Sequence, residues 1–271
     1  MFPLSLVLLS ILSLGSIESR VLWRQPPFPR SGDPLAGWSA SRVSRRENMK
    51  VVSDPAGGSG TVLRVFYKRG SYAGAPGNKG GAQFHASPFP SSRSCTLTYE
   101  VYFASNFQFV LGGKLPGLYG GSGSCSGGRW ARCFSTRYMW RTDGDGEVYF
   151  YTPMTQASDF CRRPRVHCDP VYGHSVGRGS FRFRKGRWIR IQQYVRMNTP
   201  GRRDGTLRVW IDGRRVLSMT DISYRGATSV STNAIYFSTF FGGSRTPQWA
   251  STTDTYTYYK NFEVWDHQPS F

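Results

Sequence analysis

The chain has 271 residues, with 35 Lys and Arg against 16 Asp and Glu, a formal charge of +19. That excess of one sign favours acidic partners: nucleic acid, an anionic membrane or an acidic polysaccharide. After the first residues no stretch is long and apolar enough to cross a bilayer, which excludes an integral helical membrane protein.

In chain order, Met1 to Ser16 is rich in Leu, Ile, Val and Ser, with small residues from Gly15 to Ser19. Residues 1–19 read as a secretory signal peptide. They hold one acid, Glu18, and no base, so their removal raises the positive excess by one. Secretion turns the choice of polyanion toward glycans, leaving nucleic acid and membrane aside. Residues 20–271 then make one domain of a size all-β folds reach. Residues 20–45 mix Pro, Arg and Ser and read as an N-terminal extension leading into the first strands.

Val62 to Tyr67, Cys95 to Phe103, Trp188 to Met197, Ile235 to Phe241 and Tyr256 to Trp265 are rich in β-branched and aromatic residues. Their apolar positions recur with period two, the mark of a strand with one buried face. Cys95, Leu97, Tyr99, Val101 and Phe103 alternate with Thr96, Thr98 and Glu100, so Cys95 reads as a buried free thiol. Thr206 to Leu217 is a hairpin with Asp212-Gly213 at its tip. No helical window stands out. The pattern predicts an all-β fold, an antiparallel β-sandwich of the jelly-roll type, whose concave face suits an extended polymer.

Five segments bear on chemistry. Gln83 and His85 share strand parity after Gly80-Gly81-Ala82, so both can face a groove. The glycine-rich run Leu111 to Gly121 carries one cation, Lys114, and reads as a flexible loop or lid; it lacks phosphate-loop spacing. Ser135-x-Arg137 and Tyr149-x-Tyr151 lie on two strands joined through Thr142 to Gly146. An odd-numbered loop places both pairs on one face, with Arg137 opposite Tyr151 and with Val148 and Phe150 beside Phe134 and Trp140. Cys125, Cys133, Cys161 and Cys168 are near neighbours able to pin loops as disulfides, although spacing alone leaves the pairing open. A zinc reading of Cys161, His167, Cys168 and His174 matches no common motif. Finally, Phe181 to Arg190 interleaves cations with aromatics, as a strand with an apolar inner face and a basic outer one does, or as a site for single-stranded nucleic acid or a sulfated glycan.

Acids are too scarce for the paired carboxylates of a glycosidase. The densest cluster, Asp143, Asp145 and Glu147, reads as turn chemistry. No convincing Ser-His-Asp arrangement is present.

Three stretches together resemble polysaccharide lyase family 14, the alginate and polyuronate lyases of chloroviruses and herbivorous molluscs. They are Gly112 to Leu118, the Ser135-x-Arg137 and Tyr149-x-Tyr151 hairpin, and Phe237 to Ser244. Gly80 to Phe84 also resembles that family and the related glucuronan lyases of family 20. The likeness runs from about Val62 to Trp265, and the basic segment from Arg162 to Arg190 departs from it. It implies a jelly roll that cleaves uronate polymers by β-elimination with no metal or other cofactor. It implies catalytic roles for Lys114, Arg137, Tyr149 and Tyr151, substrate binding by Ser135, and disulfides Cys125–Cys133 and Cys161–Cys168. Arg137 suits a carboxylate, and nearby cations are expected to lower the tyrosine pKa values. The expected partner is an acidic polysaccharide, met by a secreted monomer. The rival expectation is a lectin-like binder of acidic or sulfated glycans, which has no need of the complete Lys-Ser-Arg-Tyr-Tyr set.

Overall fold

A computed structural model of the chain describes residues 20–77, 80–126, 132–152, 156–169 and 171–269. The expected leader, residues 1–19, lies outside the described residues. Sixteen strands form two antiparallel sheets, and no α-helix occurs among the described residues. In chain order the strands are β1 (Val21–Arg24), β2 (Ala40–Ser44), β3 (Met49–Ser53), β4 (Thr61–Tyr67), β5 (Ala82–Ala86), β6 (Ser94–Phe103), β7 (Gly112–Gly121) and β8 (Cys133–Arg141). They continue as β9 (Asp145–Tyr151), β10 (Val166–Cys168), β11 (His174–Arg182), β12 (Trp188–Arg196), β13 (Gly205–Ile211), β14 (Arg214–Ile222), β15 (Thr232–Phe241) and β16 (Thr255–Trp265).

The back sheet runs β14-β13-β12-β6-β16-β4-β3, with β1 also on β16; the front sheet runs β10-β11-β9-β8-β7-β15-β5-β2. The chain passes back and forth between the sheets, as a jelly roll does, and the core fills the space between them. The alternation seen in the sequence sets that core. Leu97, Tyr99, Val101 and Phe103 of β6 are fully buried and face Phe134, Tyr138, Trp140, Val148 and Phe150 of β8 and β9. Each such side chain contributes roughly 1.5–3 kcal/mol on leaving water. Cys95 lies in this layer as a free, buried thiol. Both expected disulfides are formed, Cys125–Cys133 and Cys161–Cys168, so no zinc reading survives for the second pair.

Residues 20–45 do more than lead in. β1 adds to the back sheet and β2 to the front sheet, and Phe28, Leu35 and Trp38 are buried between them. The glycine-rich run is not a loop or lid but β7, in the middle of the front sheet. Its glycines serve packing rather than motion. A Cβ on Gly117 would come within 2.3 Å of the Thr136 carbonyl oxygen, and one on Gly113 within 2.1 Å of the Trp140 ring. In the Phe181 to Arg190 segment, Phe181 and Phe183 are buried while Arg182, Arg184 and Arg187 are exposed, the two-faced arrangement expected.

Candidate active site

β8 and β9 are joined through Thr142 to Gly144, an odd number of residues, so their polar pairs share the outer face of the front sheet. The register differs from the expected one by two residues. Arg137 lies opposite Tyr149, and Ser135 opposite Tyr151. The loop is one hairpin turn with Asp143 at φ 58 and Gly144 at φ 84, which sets this offset.

Extending the row across the sheet explains how distant residues meet. His85 pairs with Tyr236, Tyr236 with Gly117, Gly117 with Arg137, and Arg137 with Tyr149. One row of cross-strand neighbours thus runs from β5 to β9. Gly117 carries no side chain, and the Arg137 guanidinium sits over the Tyr236 ring at 4.0 Å and near that of Tyr151 at 5.2 Å. Lys114 comes from the next part of β7, with its Nζ 3.4 Å from the centre of the Tyr149 ring and 5.2 Å from that of Tyr151. Tyr149 and Tyr151 meet edge to face at 5.3 Å.

Arg137 is fully buried, and among the described residues its three nitrogens give hydrogen bonds only to hydroxyls. Nε bonds Ser135 Oγ at 3.1 Å, Nη1 bonds Ser238 Oγ at 3.0 Å, and Nη2 bonds Ser126 Oγ at 3.4 Å. Among the described residues no carboxylate pairs with it. A buried cation without a counter-ion is costly, and such sites are typically kept for a ligand that brings the opposite charge. Lys114 is nearly as buried, at 4% exposure. Burial, then repulsion from Arg137 and Arg141, holds its amine well below the usual lysine pKa.

Tyr149 departs from expectation. Its pKa is raised, not lowered, because burial and the neighbouring Tyr151 outweigh the attraction of Arg141. Its phenol therefore keeps its proton. The other predicted residues stand behind this centre. Gln83 Oε1 accepts a hydrogen bond from Ser238 Oγ at 3.2 Å, fixing the hydroxyl that holds Arg137. His85 lies against Tyr236 at 4.2 Å and Tyr119 at 4.5 Å. Burial and repulsion from Arg42 and Arg137 push its pKa down to about 4, so it stays neutral. Neither residue lines the cleft over the centre; both buttress it.

That cleft has a volume of about 240 Å³ and is lined by Lys114, Ser126, Tyr149, Tyr151, Tyr172 and Arg245, among others. Ser126 stands between it and Arg137. The Cys125–Cys133 disulfide lies beneath, packed with Tyr149, Tyr151 and Tyr236 on the outer face of the sheet.

Glu147 belongs to a strand and not, as expected, to a turn. It is wholly buried on β9, where its Oε1 accepts from Arg141 Nη2 at 2.6 Å and its Oε2 from Ser175 Oγ at 2.6 Å and Arg178 Nε at 2.7 Å. Burial alone would raise its pKa, but Arg141, Ser175 and Arg178 hold it below the usual carboxylate value. It anchors Arg141, whose guanidinium lies 5.8 Å from the Tyr149 ring. Tyr236, Ser238 and Ser126 were also missed. Tyr236 and Ser238 had a readable signal: they alternate with Ile235 and Phe237, which places them on the outer face. Ser126 had none.

A family model, Polysaccharide lyase 14, matches residues 55–262. The chain belongs to polysaccharide lyase family 14. A crystal structure of the PL-14 alginate lyase from Aplysia kurodai matches with a TM-score of 0.82 and 36% identity, over 92% of this chain and 100% of that one. The alginate lyase vAL-1 from Chlorella virus matches with a TM-score of 0.69 and 25% identity, over 84% of this chain and 92% of that one. The protein Exolysin of Paramecium bursaria Chlorella virus 1 is 25% identical over 215 residues, 72% of this chain. The chain spans only 33% of the length of that curated relative. The resemblance expected from the glycine-rich strand and the Arg/Tyr hairpin is thus that of a member to its family.

Proposed function

We propose that the protein is secreted and cleaves a uronate-containing polysaccharide, such as alginate or polyglucuronate, by β-elimination without a metal cofactor. The decisive feature is Arg137, a buried guanidinium held by three hydroxyls and, among the described residues, no carboxylate, beside the buried amine of Lys114. The alginate lyases of Aplysia and Chlorella virus support the same substrate class.

The residues divide the work by their surroundings. A uronate carboxylate entering the cleft replaces Ser126 at Nη2 of Arg137, the longest of its three bonds. Arg137 then stabilises the charge that develops on the carboxylate as C5 loses its proton, the term of greatest weight in such a reaction. Lys114, whose amine is held below its ordinary pKa, takes that proton. The electron pair forms the C4–C5 double bond, the C4–O4 bond breaks, and the Tyr149 phenol gives its proton to O4. Environments that push one pKa down and its neighbour's up assign base and acid in this way. Ser135 and Ser238 keep Arg137 in place, and Tyr151 packs against both Arg137 and Lys114.

The test mixes the protein with polymannuronate, polyguluronate and polyglucuronate and follows ultraviolet absorbance. Elimination makes a double bond conjugated to the carboxylate; binding alone does not. Lys114→Arg puts a permanently protonated group in place of the base, and is expected to lower the rate by about 10³-fold. Binding of every polymer without new absorbance would replace this reading with the lectin-like one. Near-normal turnover by Lys114→Arg would transfer the base role to a tyrosine.

A further inference from the structure

A second cleft, of about 320 Å³, opens between β11 of the front sheet and the β12–β14 edge of the back sheet. Arg182, Arg184, Arg187 and Arg214 line it above an apolar floor that includes Phe181 and Ile189. Arg182 pairs with Asp145 and Arg187 with Asp212, both at half-exposed positions where ion pairs hold weakly. Arg184 and Arg214 are exposed and, among the described residues, pair with no carboxylate. Nothing in the proposed elimination uses this cleft.

We propose that it is a second, non-catalytic binding site for the same acidic polysaccharide, one that anchors chain beyond the reacting sugar. The assignment rests on the functional reading above for its ligand. Continuity with the active site argues for that ligand. Arg141, beside Tyr149, and Arg178 share Glu147, and Asp145, on the same face of β9, holds Arg182. A line of arginines therefore leads from the catalytic tyrosines to the cleft. Asp145 and Tyr149 are four residues apart on one strand, roughly 13 Å, far enough for the two sites to hold different sugars of one chain. Arginine forks suit the repeating carboxylates of a polyuronate, and the apolar floor suits the faces of its rings.

The experiment compares Arg184→Ala/Arg214→Ala with a control of equal charge change, Arg202→Ala/Arg203→Ala. The control residues are exposed and lie at the opposite end of β12. KM is measured on a long polyuronate and on a tetrasaccharide, and migration is measured in gels cast with the polymer. The cleft pair is expected to raise KM for the long polymer about tenfold at low salt and to migrate faster in the gel, with the gap closing as salt is added. Its turnover of the tetrasaccharide stays that of the unmodified protein, and the control pair changes neither. An equal KM rise in the control pair, an unchanged KM in the cleft pair, or an equal loss on the tetrasaccharide overturns the proposal. So does retardation by double-stranded DNA that matches the polymer's and is lost with the same substitutions. If no polyuronate yields new absorbance, the functional reading fails, and the polymer gels still decide whether the cleft binds.

Discussion

Two arginines are buried almost equally, Arg137 completely and Arg225 at 3% exposure, yet they are bonded in opposite ways. Arg225 sits between β14 and β15 and gives hydrogen bonds to the carbonyl oxygens of Asn198 at 2.9 Å, Thr228 at 3.2 Å and Val230 at 2.7 Å, and to Ser231 Oγ at 3.2 Å. Fixed carbonyl dipoles satisfy its charge and tie the loop to the end of β12. Among the described residues the hydrogen bonds of Arg137 go to hydroxyls, which position the guanidinium between the Tyr236 and Tyr151 rings but neutralise little of it. Burial therefore does not tell these two arginines apart; the kind of acceptor does.

The largest effect that would sharpen this contrast is on catalysis. Arg137→Met is expected to cut elimination by about 10³-fold or more while the melting temperature holds or rises, since an uncompensated charge leaves the interior. A melt and an absorbance assay on one sample check both. Next comes Tyr149→Phe, with a rate loss of about 10²–10⁴-fold. In the unmodified protein the rate should climb with pH through the lowered Lys114 value, as the amine loses its proton, and fall only in strong alkali where the raised Tyr149 ionises. A rate that peaks in acid breaks the base and acid assignment.

Arg225→Met should behave in the opposite sense to Arg137→Met. Leaving three carbonyls without their donor costs about 2–3 kcal/mol of stability by denaturant titration, with activity per folded molecule intact. Loss of activity without loss of stability would erase the distinction between the two arginines. The smallest effect concerns His85, whose ring shares Tyr236 with Arg137. The unfolded chain protonates it below about 6.5 and the folded chain only near 4, so folding stability falls as pH drops across that window. His85→Gln should remove that share of the pH dependence, seen as a flatter melting temperature from neutral pH down to about 4.

The sandwich was legible because its signal is local. Cys95 to Phe103 shows a bare alternation that only a half-buried strand explains, and Asp212-Gly213 marks a turn by its own backbone preferences. The hairpin pairs were legible for the same reason, and parity put them on one face. Their register was not, because a slip of two residues preserves every face and changes only partners. Leu111 to Gly121 misled because glycine also occurs where backbones and rings crowd a strand, and that crowding comes from β8 and β15. Glu147 misled because the arginines that hold it come from β8 and β11, and its neighbours in sequence look like a turn.

The amino-acid order alone settled which faces of most strands are apolar, where the chain turns, and which residue types can hold an anion or move a proton. These follow from backbone geometry and side-chain chemistry within a few residues. Which of those groups meet, and in what state of protonation, was decided by the stacking of strands from β5 to β9. Burial and the field of neighbouring charges act through space, and they lower the pKa of Lys114 and raise that of Tyr149.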